Sequence, residues 1–468
     1  MTSSSDDTIV AVATGTGNAA IGVVRISGSR TAALLELLCR IGSSESVPDF
    51  RSRPRQALLC SILDRDGDPI DTGLVTYFPA PASYTGEDVA ELALHGNNLL
   101  LRRCVDALVS PHGPAGSPPL ARPAEPGEFT RRAFLNGKLD LSQAEAVRRI
   151  IEAKSEYELR AGRRLLTGQL SRLVSRFRSA LISLKAETEA EVDFSTEDLT
   201  FESRTERLER VRALVGEIEG ILERAAGTTR AASGFQIALM GVPNAGKSSL
   251  LNQMLGWERA IVSDVPGTTR DYLAEEIQFE GVSVRFVDTA GLRDTNDSVE
   301  AEGVRRSHSE IQRSQIVLHV IDGARPAYQL PELPPGKGDP LAVFFVINKS
   351  DALNANAWRP SPDEKNRTLS VSCLTGDGLP VLRDGIKSTI ASSVGSTDPL
   401  LLEDRHRFHF EATRAALENV SRLMGAEAPA EIIALEIDTA LHHTGAITGR
   451  ITEEEILGRI FSTFCVGK

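Results

Sequence analysis

Three observations predict a multidomain chain of mixed α/β and α class. Its 468 residues exceed what one hydrophobic core supports, and about 100–200 residues per domain suggest about three domains. Four apolar runs between residues 235 and 347 alternate with helical stretches, and helix-rich segments lie on both sides of them. We therefore predict an α+β N-terminal domain and a discontinuous helical domain, into which an α/β domain with a mostly parallel sheet is inserted.

The N-terminal domain is predicted over residues 1–125. Short β-branched runs among Gly and Pro indicate strands at 8–13, 21–26, 73–78 and 89–94. The stretch PHGPAGSPPLARPAEPG at 111–127 then breaks this pattern and indicates a loop or a domain boundary.

The helical domain is predicted in two halves, 126–231 and 385–468. Apolar residues recur three and four apart in segments such as LLTGQLSRLVSRFRSALISLKAE, which is typical of amphipathic helices. The first half also contains a basic stretch, formed by Arg160, Arg163, Arg164, Arg172, Arg176 and Arg178. This stretch fits either an RNA-binding face or a solvated helix face.

Composition limits the classes of function. A content of 41% hydrophobic and 25% charged residues argues against wholesale disorder. No apolar run reaches the roughly 18 residues that span a bilayer, and MTSSSDDTIV lacks a signal-peptide layout, so we expect a cytoplasmic protein without membrane contact. Five scattered cysteines without a C-x-x-C pair indicate neither a disulfide framework nor a zinc site. The net charge of −12 argues against nonspecific nucleic-acid coating.

The inserted domain, predicted over 232–384, begins with a phosphate-binding motif. FQIALM followed by GVPNAGKSS fits a strand, a G-x-x-x-x-G-K-S loop and a helix. Gly241 and Gly246 let backbone amides approach phosphates, Lys247 supplies charge to the β and γ phosphates, and the Ser248 hydroxyl is suited to Mg²⁺. The motif therefore predicts a P-loop domain of the Ras-like type, called the G domain below.

Companion motifs follow in the order that a nucleotide switch requires. Asp288 ends the strand of VRFVDTAG, where it can hold Mg²⁺ through water, and the amide of Gly291 can sense the γ phosphate. Thr269 in GTTRD is the predicted switch threonine, which closes on Mg²⁺ and the γ phosphate together.

Two later motifs predict recognition of guanine. Asp351 in NKSD can accept hydrogen bonds from the N1 and N2 donors of guanine, and adenine offers neither. VSCLTG at 371–376 takes the position of the S-A-K loop under the base, with Cys373 and Leu374 in place of Ala and Lys. GTP is therefore predicted in preference to ATP.

The complete set of predicted GTP contacts is drawn from these five segments and from residues 263–266, directly before GTTRD. It consists of Asn244, Ala245, Gly246, Lys247, Ser248, Ser249, Ser263, Asp264, Val265, Pro266, Gly267, Thr268, Thr269, Asp288, Thr289, Ala290, Gly291, Asn348, Lys349, Ser350, Asp351, Ser372, Cys373 and Leu374. Within it, Lys247 is a predicted catalytic residue, and Ser248 and Thr269 are the predicted Mg²⁺ ligands.

The residue after DTAG indicates how hydrolysis proceeds. Ras-like proteins place a water-orienting glutamine there, whereas this chain has Leu292, which cannot orient water. Another residue must therefore act on the attacking water. Asp294, Asp297 and Glu300 of the following loop are the candidates.

Taken together, the motifs resemble the MnmE family, also called TrmE, of tRNA-modifying GTPases. The resemblance covers nearly the whole chain, through DTIVAVAT, VVRISG, YTGEDVAEL, PGEFTRRAFLNGKLDLSQAEA, GVPNAGKSSLLN, VPGTTRD, DTAGLR, NKSD and LGRIFSTFCVGK. It implies an N-terminal domain that binds formyl-tetrahydrofolate and mediates homodimerisation. It also implies an FAD-dependent MnmG-type partner, in a heterotetramer or larger complex, and addition of an aminomethyl or carboxymethylaminomethyl group at C5 of the tRNA wobble uridine.

The resemblance assigns further residues. Arg25, Glu91, Lys138 and Lys468 match folate-binding positions, and a basic set beside a carboxylate suits a ligand with a glutamate tail and a hydrogen-bond-donating pterin. Cys465 matches a cysteine near the folate pocket, where either a structural or a chemical role is open.

In the G domain, the resemblance implies a K⁺ site that replaces an arginine finger. Its predicted ligands are Asn244, Ser263, Val265 and Thr268. Glu300 matches the family's catalytic glutamate, which agrees with the missing glutamine. Hydrolysis is expected to accelerate when two G domains meet across the dimer.

Three segments depart from the family pattern: HGNN at 95–98, Pro266 before Gly267, and a longer stretch at 111–122. One alternative also stays open, a regulatory GTPase that acts in ribosome assembly. That class leaves FCVGK and GEDVAEL without a purpose and typically carries an RNA-binding segment after its G domain, which this sequence lacks.

Overall fold

The computed structural model describes most of the chain. The described residues are 7–15, 17–41, 46–110, 118–193, 203–257, 274–288, 309–329, 342–352, 354, 357–361, 367–394, 399–450 and 454–467. The chain divides into two compact units. Unit 1 consists of Met1–Arg148, Leu166–Ala186 and Ile437–Lys468, and unit 2 consists of Arg149–Leu165 and Glu187–Glu436.

The strands are β1 (Ile9–Val12), β2 (Ala19–Ser27), β3 (Cys39–Arg40), β4 (Ala57–Leu63), β5 (Pro69–Phe78), β6 (Val89–Gly96), β7 (Arg122–Pro123), β8 (Phe235–Met240), β9 (Ala274–Phe279), β10 (Val282–Asp288), β11 (Ile316–Asp322), β12 (Ala342–Asn348) and β13 (Thr368–Ser370). The α-helices are α1 (Thr31–Leu38), α2 (Asn98–Val109), α3 (Glu128–Leu135), α4 (Leu141–Glu152), α5 (Glu156–Leu166), α6 (Gln169–Asp193), α7 (Arg204–Ala232), α8 (Lys247–Leu255), α9 (Leu379–Val394), α10 (Asp404–Gly425), α11 (Ala430–Ile447) and α12 (Glu454–Ser462). Nowhere in the described ranges is a helix both long enough and apolar enough to cross a bilayer.

The sheet of unit 1 has the order β3-β4-β5-β6-β2-β1-β7. Its long strands pair antiparallel, and the short β7 pairs parallel to β1. Helices α1 and α2 contribute to the core on one face, where Leu34 and Leu101 join strand residues such as Val24 and Leu92. Asn97 begins α2 by accepting hydrogen bonds from the amides of Leu99 and Leu100, which gives the HGNN departure a local capping role.

The C-terminal helix packs within unit 1 against helices that begin much earlier in the chain. Phe461 and Phe464 of the α12 region form a small core with Leu141 and Phe134. Two polar contacts join α6 to α11: Lys185 Nζ lies 2.7 Å from Asp438 Oδ1, and an Arg178 guanidinium nitrogen donates to the Leu441 carbonyl.

The sheet of unit 2 has the order β13-β12-β11-β8-β10-β9. Every pairing in it is parallel except that of β9 with β10. Strand β11 is buried along its whole length, as expected for a central parallel strand covered on both faces. This arrangement confirms the predicted G-domain architecture. Strand β8 has the predicted bounds, whereas β9 and the short β13 were not predicted.

Helices on both sides of the G domain meet within unit 2. Arg204, at the start of α7, donates to the Met424 carbonyl at the end of α10 over 2.8 Å. Arg149 of α4 forms two hydrogen bonds with Glu403, which precedes α10. The helical segments before and after the G domain are therefore packed together, in agreement with the predicted fold class.

Candidate active site

The phosphate loop lies between β8 and α8. Gly241 follows the strand with φ of 152°, and a Cβ there would approach the Val320 carbonyl oxygen to 2.2 Å. Gly246 precedes the helix with φ of 97°, and no side chain caps the helix at this position. The first turn of α8, which carries Ser248 and Ser249 exposed on its surface, is thus suited to an anion at the helix N-terminus.

Lys247 places a buried ammonium group inside this loop. The residue is 7% exposed, and its Nζ donates to the carbonyl oxygens of Gly241 at 2.8 Å and Val242 at 3.3 Å. A buried cation is costly unless it is held by such acceptors or by an anion. The loop therefore fits a phosphate group.

Asn348 joins the phosphate loop to the two guanine motifs. Its side chain is 2% exposed, donates from Nδ2 to the Ala245 carbonyl at 3.0 Å, and accepts from the Cys373 amide at 3.3 Å. A Cβ on Gly246 would lie 2.0 Å from the same Nδ2. The NKSD segment also reaches the loop through Lys349, whose Nζ donates to the Asn244 carbonyl at 3.0 Å.

The predicted base-recognition residues lie beside this junction. Asp351 is solvent-exposed, and its Oδ1 accepts a hydrogen bond from Ser372 Oγ at 2.5 Å. Ser350 donates its amide to the Val371 carbonyl, which holds NKSD against the 371–376 loop. Cys373 is half-buried, and burial, followed by the charge of Asp351, raises the pKa of its thiol.

Leu374 stands where related G domains have lysine, and it is 85% exposed. The neighbouring backbone is anchored independently of that side chain, because Gln253 of α8 donates to the Cys373 carbonyl at 3.0 Å. The position of this backbone is therefore set by a contact that does not involve the side chain of Leu374.

Part of the predicted site lies outside the described residues. Asp288 ends β10 as predicted, and only its backbone is described. The predicted residues that fall outside are Ser263, Asp264, Val265, Pro266, Gly267, Thr268, Thr269, Thr289, Ala290, Gly291 and Glu300, together with Leu292, Asp294 and Asp297.

One residue of this site was missed from sequence. Asp322 ends β11, directly opposite Asn348 of β12, and it is 1% exposed. Its Oδ2 lies 2.8 Å from Lys349 Nζ. The available signal was a carboxylate directly after the apolar run IVLHVI, at the edge of a parallel sheet where ligands bind.

A second candidate site lies on the sheet of unit 1. Arg25 of β2 and Glu91 of β6 are cross-strand partners, and their side chains form an ion pair of 2.7 Å. The Arg25 guanidinium also lies over two rings, 5.4 Å from the Tyr84 centroid and 5.7 Å from that of Phe129. Burial raises the pKa of Tyr84, whose hydroxyl is hydrogen-bonded to Thr130.

Lys138 and the chain end approach the same region of unit 1. Lys138 Nζ donates to the Pro81 carbonyl at 3.1 Å, in the loop that also carries Tyr84. Gly467 packs so closely on β1 that a Cβ would lie 2.1 Å from the Val12 oxygen. Cys465 is exposed, and its carbonyl accepts from the amide of Gly127 at 3.4 Å. Lys468 lies outside the described residues.

Two family models match the chain. Residues 8–138 match the GTP-binding protein TrmE N-terminus, and residues 141–465 match the MnmE helical domain. The chain belongs to the MnmE (TrmE) family. The second match extends on both sides of the G domain, as expected for a helical domain that is interrupted by an insertion.

Full-length relatives agree with this assignment to the MnmE family. The chain is 43% identical to the tRNA modification GTPase MnmE of Leptospira biflexa over 469 residues, covering 99% of this chain and 100% of that protein. It is 37% identical to the protein of the same name from Aquifex aeolicus, covering 98% and 99%. The predicted resemblance, fold class and enzyme class, a GTPase, are confirmed.

Around the second site, this MnmE-family chain carries a buried charge network. Arg132 is 5% exposed and forms ion pairs with Asp7, Glu87 and Glu128. Burial alone would lower the pKa of Arg132, but the charges and hydrogen bonds of Glu87 and Glu128 raise it. Glu87 also accepts from Ser27 Oγ, two residues after Arg25 on β2. The network therefore anchors the loop that carries Tyr84 to the strand that carries Arg25.

Proposed function

We propose that this MnmE-family chain hydrolyses GTP in order to modify the tRNA wobble uridine together with an FAD-dependent MnmG-type partner. The observation that carries the nucleotide part is the position of Asn348, which joins the phosphate loop to both guanine motifs through two hydrogen bonds. We propose three domains: an N-terminal domain at 1–125, a helical domain in two halves at 126–231 and 385–468, and the G domain at 232–384. The proposed location is the cytoplasm.

The tRNA proposal is tested by mass spectrometry of wobble uridine in cells that lack the protein. Loss of the aminomethyl or carboxymethylaminomethyl group at C5 is expected, with restoration by the wild-type gene. Unchanged uridine together with defective ribosomal subunits would favour the ribosome-assembly alternative.

Within the G domain, we propose tasks for the predicted residues, including Thr269, which lies outside the described ranges. Lys247 holds the β and γ phosphates, and Ser248 with Thr269 holds Mg²⁺. Asn244 is exposed, with its backbone carbonyl engaged by Lys349, and amide and hydroxyl oxygens are the donors that hard cations prefer. We assign Asn244 as a K⁺ ligand with the oxygens of residues 263, 265 and 268. When bound, the two cations stabilise the negative charge that develops on the phosphoryl group.

The K⁺ assignment is tested by measuring steady-state GTP hydrolysis in KCl and in NaCl at equal ionic strength. Turnover is expected to be fast in K⁺ and slow in Na⁺, and equal rates would exclude the site.

Glu300 is proposed to act on the attacking water, so Glu300→Ala should abolish turnover with nearly unchanged GTP affinity. A large loss of affinity would instead indicate a structural role.

We propose that unit 1 binds formyl-tetrahydrofolate through Arg25, Glu91, Lys138 and Lys468, with Cys465 beside the pocket. The Arg25 side chain is 20% exposed and that of Glu91 35%, so a ligand can reach both. Their carboxylate and guanidinium groups suit a pterin that donates hydrogen bonds and a polyanionic tail. The folate would supply the one-carbon unit that is transferred.

Folate binding is tested by calorimetry with 5-formyl-tetrahydrofolate. Micromolar binding is expected for the wild-type chain, with a loss of about tenfold or more for Glu91→Gln. Lys154→Ala, which removes an exposed lysine from unit 2, is the control and should bind normally. Absence of binding by the wild-type chain at high micromolar folate would refute the proposal.

We also propose a homodimer that forms through unit 1. Its sheet has a face with exposed apolar residues, since Leu59 is 63%, Leu74 46% and Ile21 62% exposed. Leu59 and Leu74 are cross-strand partners, and Leu74 pairs in turn with Ala93 of β6. Contiguous exposed apolar residues of this kind are typical of an interaction surface.

Sedimentation equilibrium tests this surface. Leu74→Asp should shift the chain toward the monomer, because it places a charge in the centre of the apolar row. Leu99→Asp is the matched control, since Leu99 is 71% exposed at the start of α2, and it should leave the dimer intact. A wild-type monomer at micromolar concentration would contradict the proposal.

A further inference from the structure

Asp322 is a buried carboxylate that lies outside the nucleotide-binding motifs and has no task in the proposed hydrolysis. It is the last residue of β11, at the carboxyl edge of the sheet where the phosphate loop and NKSD also lie. Only 1% of it is exposed. An ionised side chain at such a depth has to be compensated by partners, so the identity of those partners indicates its role.

The partners hold the carboxylate in one orientation. Oδ1 accepts from the amide of Ala324 at 3.1 Å, and the amide of Asp322 itself donates to the Tyr328 hydroxyl at 3.0 Å. Oδ2 faces two cations, Lys349 Nζ at 2.8 Å and Arg325 Nε at 3.3 Å. Arg325 is 54% exposed and lies three residues away in the chain, whereas Lys349 belongs to NKSD.

Lys349 connects Asp322 with the phosphate loop. Its single ammonium group contacts Asp322 Oδ2 and also donates to the Asn244 carbonyl. Both Lys349, with φ of 62°, and Asn244, with φ of 66°, adopt the left-handed backbone conformation that L residues rarely occupy. Residues held in this conformation are typical of ligand-binding sites, where surrounding contacts enforce it.

We propose that Asp322 is a positioning residue for the guanine nucleotide, acting through Lys349. The carboxylate fixes the ammonium group against the phosphate loop, so that the lysine stem is held beside the predicted base-recognition residue Asp351. The ordered stem provides an apolar wall for the base and holds NKSD at the correct distance from the loop. This inference rests on the proposed GTP-binding function.

A double-mutant cycle tests the proposal, using fluorescent GDP and the full-length chain. Asp322→Asn removes the charge with little change in shape, and Lys349→Met removes the ammonium group but retains the stem. Each substitution should raise the Kd about tenfold, and the double variant should bind no more weakly than the weaker single variant.

Arg325→Gln is the matched control, because it removes the other, exposed cation that faces the same oxygen. Its Kd should remain within about twofold of wild type. If Asp322 had only a structural role, Asp322→Asn would lower the thermal unfolding midpoint. Its effect on the Kd would then add in full to the effect of Lys349→Met. Additive effects, or an unchanged Kd in Asp322→Asn, would overturn the proposal.

Two further outcomes are distinguishable. If the wild-type chain does not bind GDP, the proposed function fails as a whole, whereas equal binding by wild type and Asp322→Asn removes only this inference. If Asp322→Asn does not fold, Asp322→Glu is measured in its place. The longer carboxylate should keep the Kd within about threefold of wild type, and a rise as large as that of Lys349→Met would overturn the proposal.

Discussion

Replacing Gly246 by alanine is expected to disrupt nucleotide binding by displacing Asn348. The new Cβ would lie 2.0 Å from Asn348 Nδ2, a separation that real Cβ contacts do not show, so the amide must move. Asn348 is 2% exposed, and its movement breaks its hydrogen bonds to the Ala245 carbonyl and the Cys373 amide. Alanine must also adopt the φ of 97° that glycine tolerates.

The expected loss of GDP affinity can be worked out from these contributions. The left-handed conformation costs an alanine about 1–2 kcal/mol, and each lost hydrogen bond contributes about 0.5–1.5 kcal/mol. The total is about 2–5 kcal/mol. A free phosphate loop can relax away from the clash, so the cost is incurred when the nucleotide restores the geometry. The Kd for GDP should therefore increase by a factor between about 30 and more than about 1,000.

Titration with fluorescent GDP measures this effect, and Gly376→Ala is the matched control. Gly376 has a similar φ of 87°, but no heavy atom lies within 4 Å of its Cβ position. The control should therefore show only the backbone contribution, at most about 30-fold. A Kd for Gly246→Ala within threefold of wild type, or equal losses of affinity in the two variants, would show that the new Cβ does not displace Asn348.

Three other predictions follow from described side chains. Asp351→Asn should weaken GTP binding about 100-fold and favour xanthosine triphosphate, whose C2 carbonyl can accept a hydrogen bond from the new amide. A competition assay in which the variant still prefers GTP would contradict this prediction. Burial alone would raise the pKa of Glu128, but hydrogen bonds from its arginine partners lower that pKa below its ordinary value. The ionised Glu128 therefore stabilises the fold at neutral pH, and this stabilisation is lost as the pH falls through the lowered pKa. Glu128→Gln should therefore cost about 1–3 kcal/mol at pH 7, and urea denaturation should show a smaller difference at pH 3. Burial raises the pKa of Cys104 to about 12, so iodoacetamide at pH 8 should label the exposed Cys465 and leave Cys104 unmodified in the native chain, as peptide mass spectrometry can show.

The G-domain sheet could be predicted because its strands are buried on both faces. A strand in that position consists of consecutive apolar residues, as in FQIALM and IVLHVID, and its ends are visible in the sequence. The missed β9 (AEEIQF) lies at the sheet edge and carries acidic residues, so no apolar run marks it. The predictability of a strand thus depended on its place in the sheet.

The residues of the candidate sites also differ in how far they could be predicted from the sequence. The glycines of the phosphate loop could be predicted because their backbone conformation disfavours other residues, and Asp351 was predicted to bind guanine from the hydrogen-bonding pattern of that base. The Arg25–Glu91 ion pair could not be predicted as a contact, because it joins residues 66 positions apart through strand register. The pairing of Asp322 with Lys349 spans 27 positions and depends on the same kind of alignment.

Residue patterns along the chain were enough to predict the phosphate loop, the preference for guanine, the absence of a water-orienting glutamine and membership of the MnmE family. These features depend on residue chemistry within short segments, where spacing along the chain sets the geometry. Three contacts became apparent only in the folded chain: Asn348 joins three motifs, Asp322 is buried against Lys349, and Gly467 packs on the strand beside Arg25. Such contacts arise when strands align in a sheet and chain ends pack on it, and no local pattern of residues encodes that alignment.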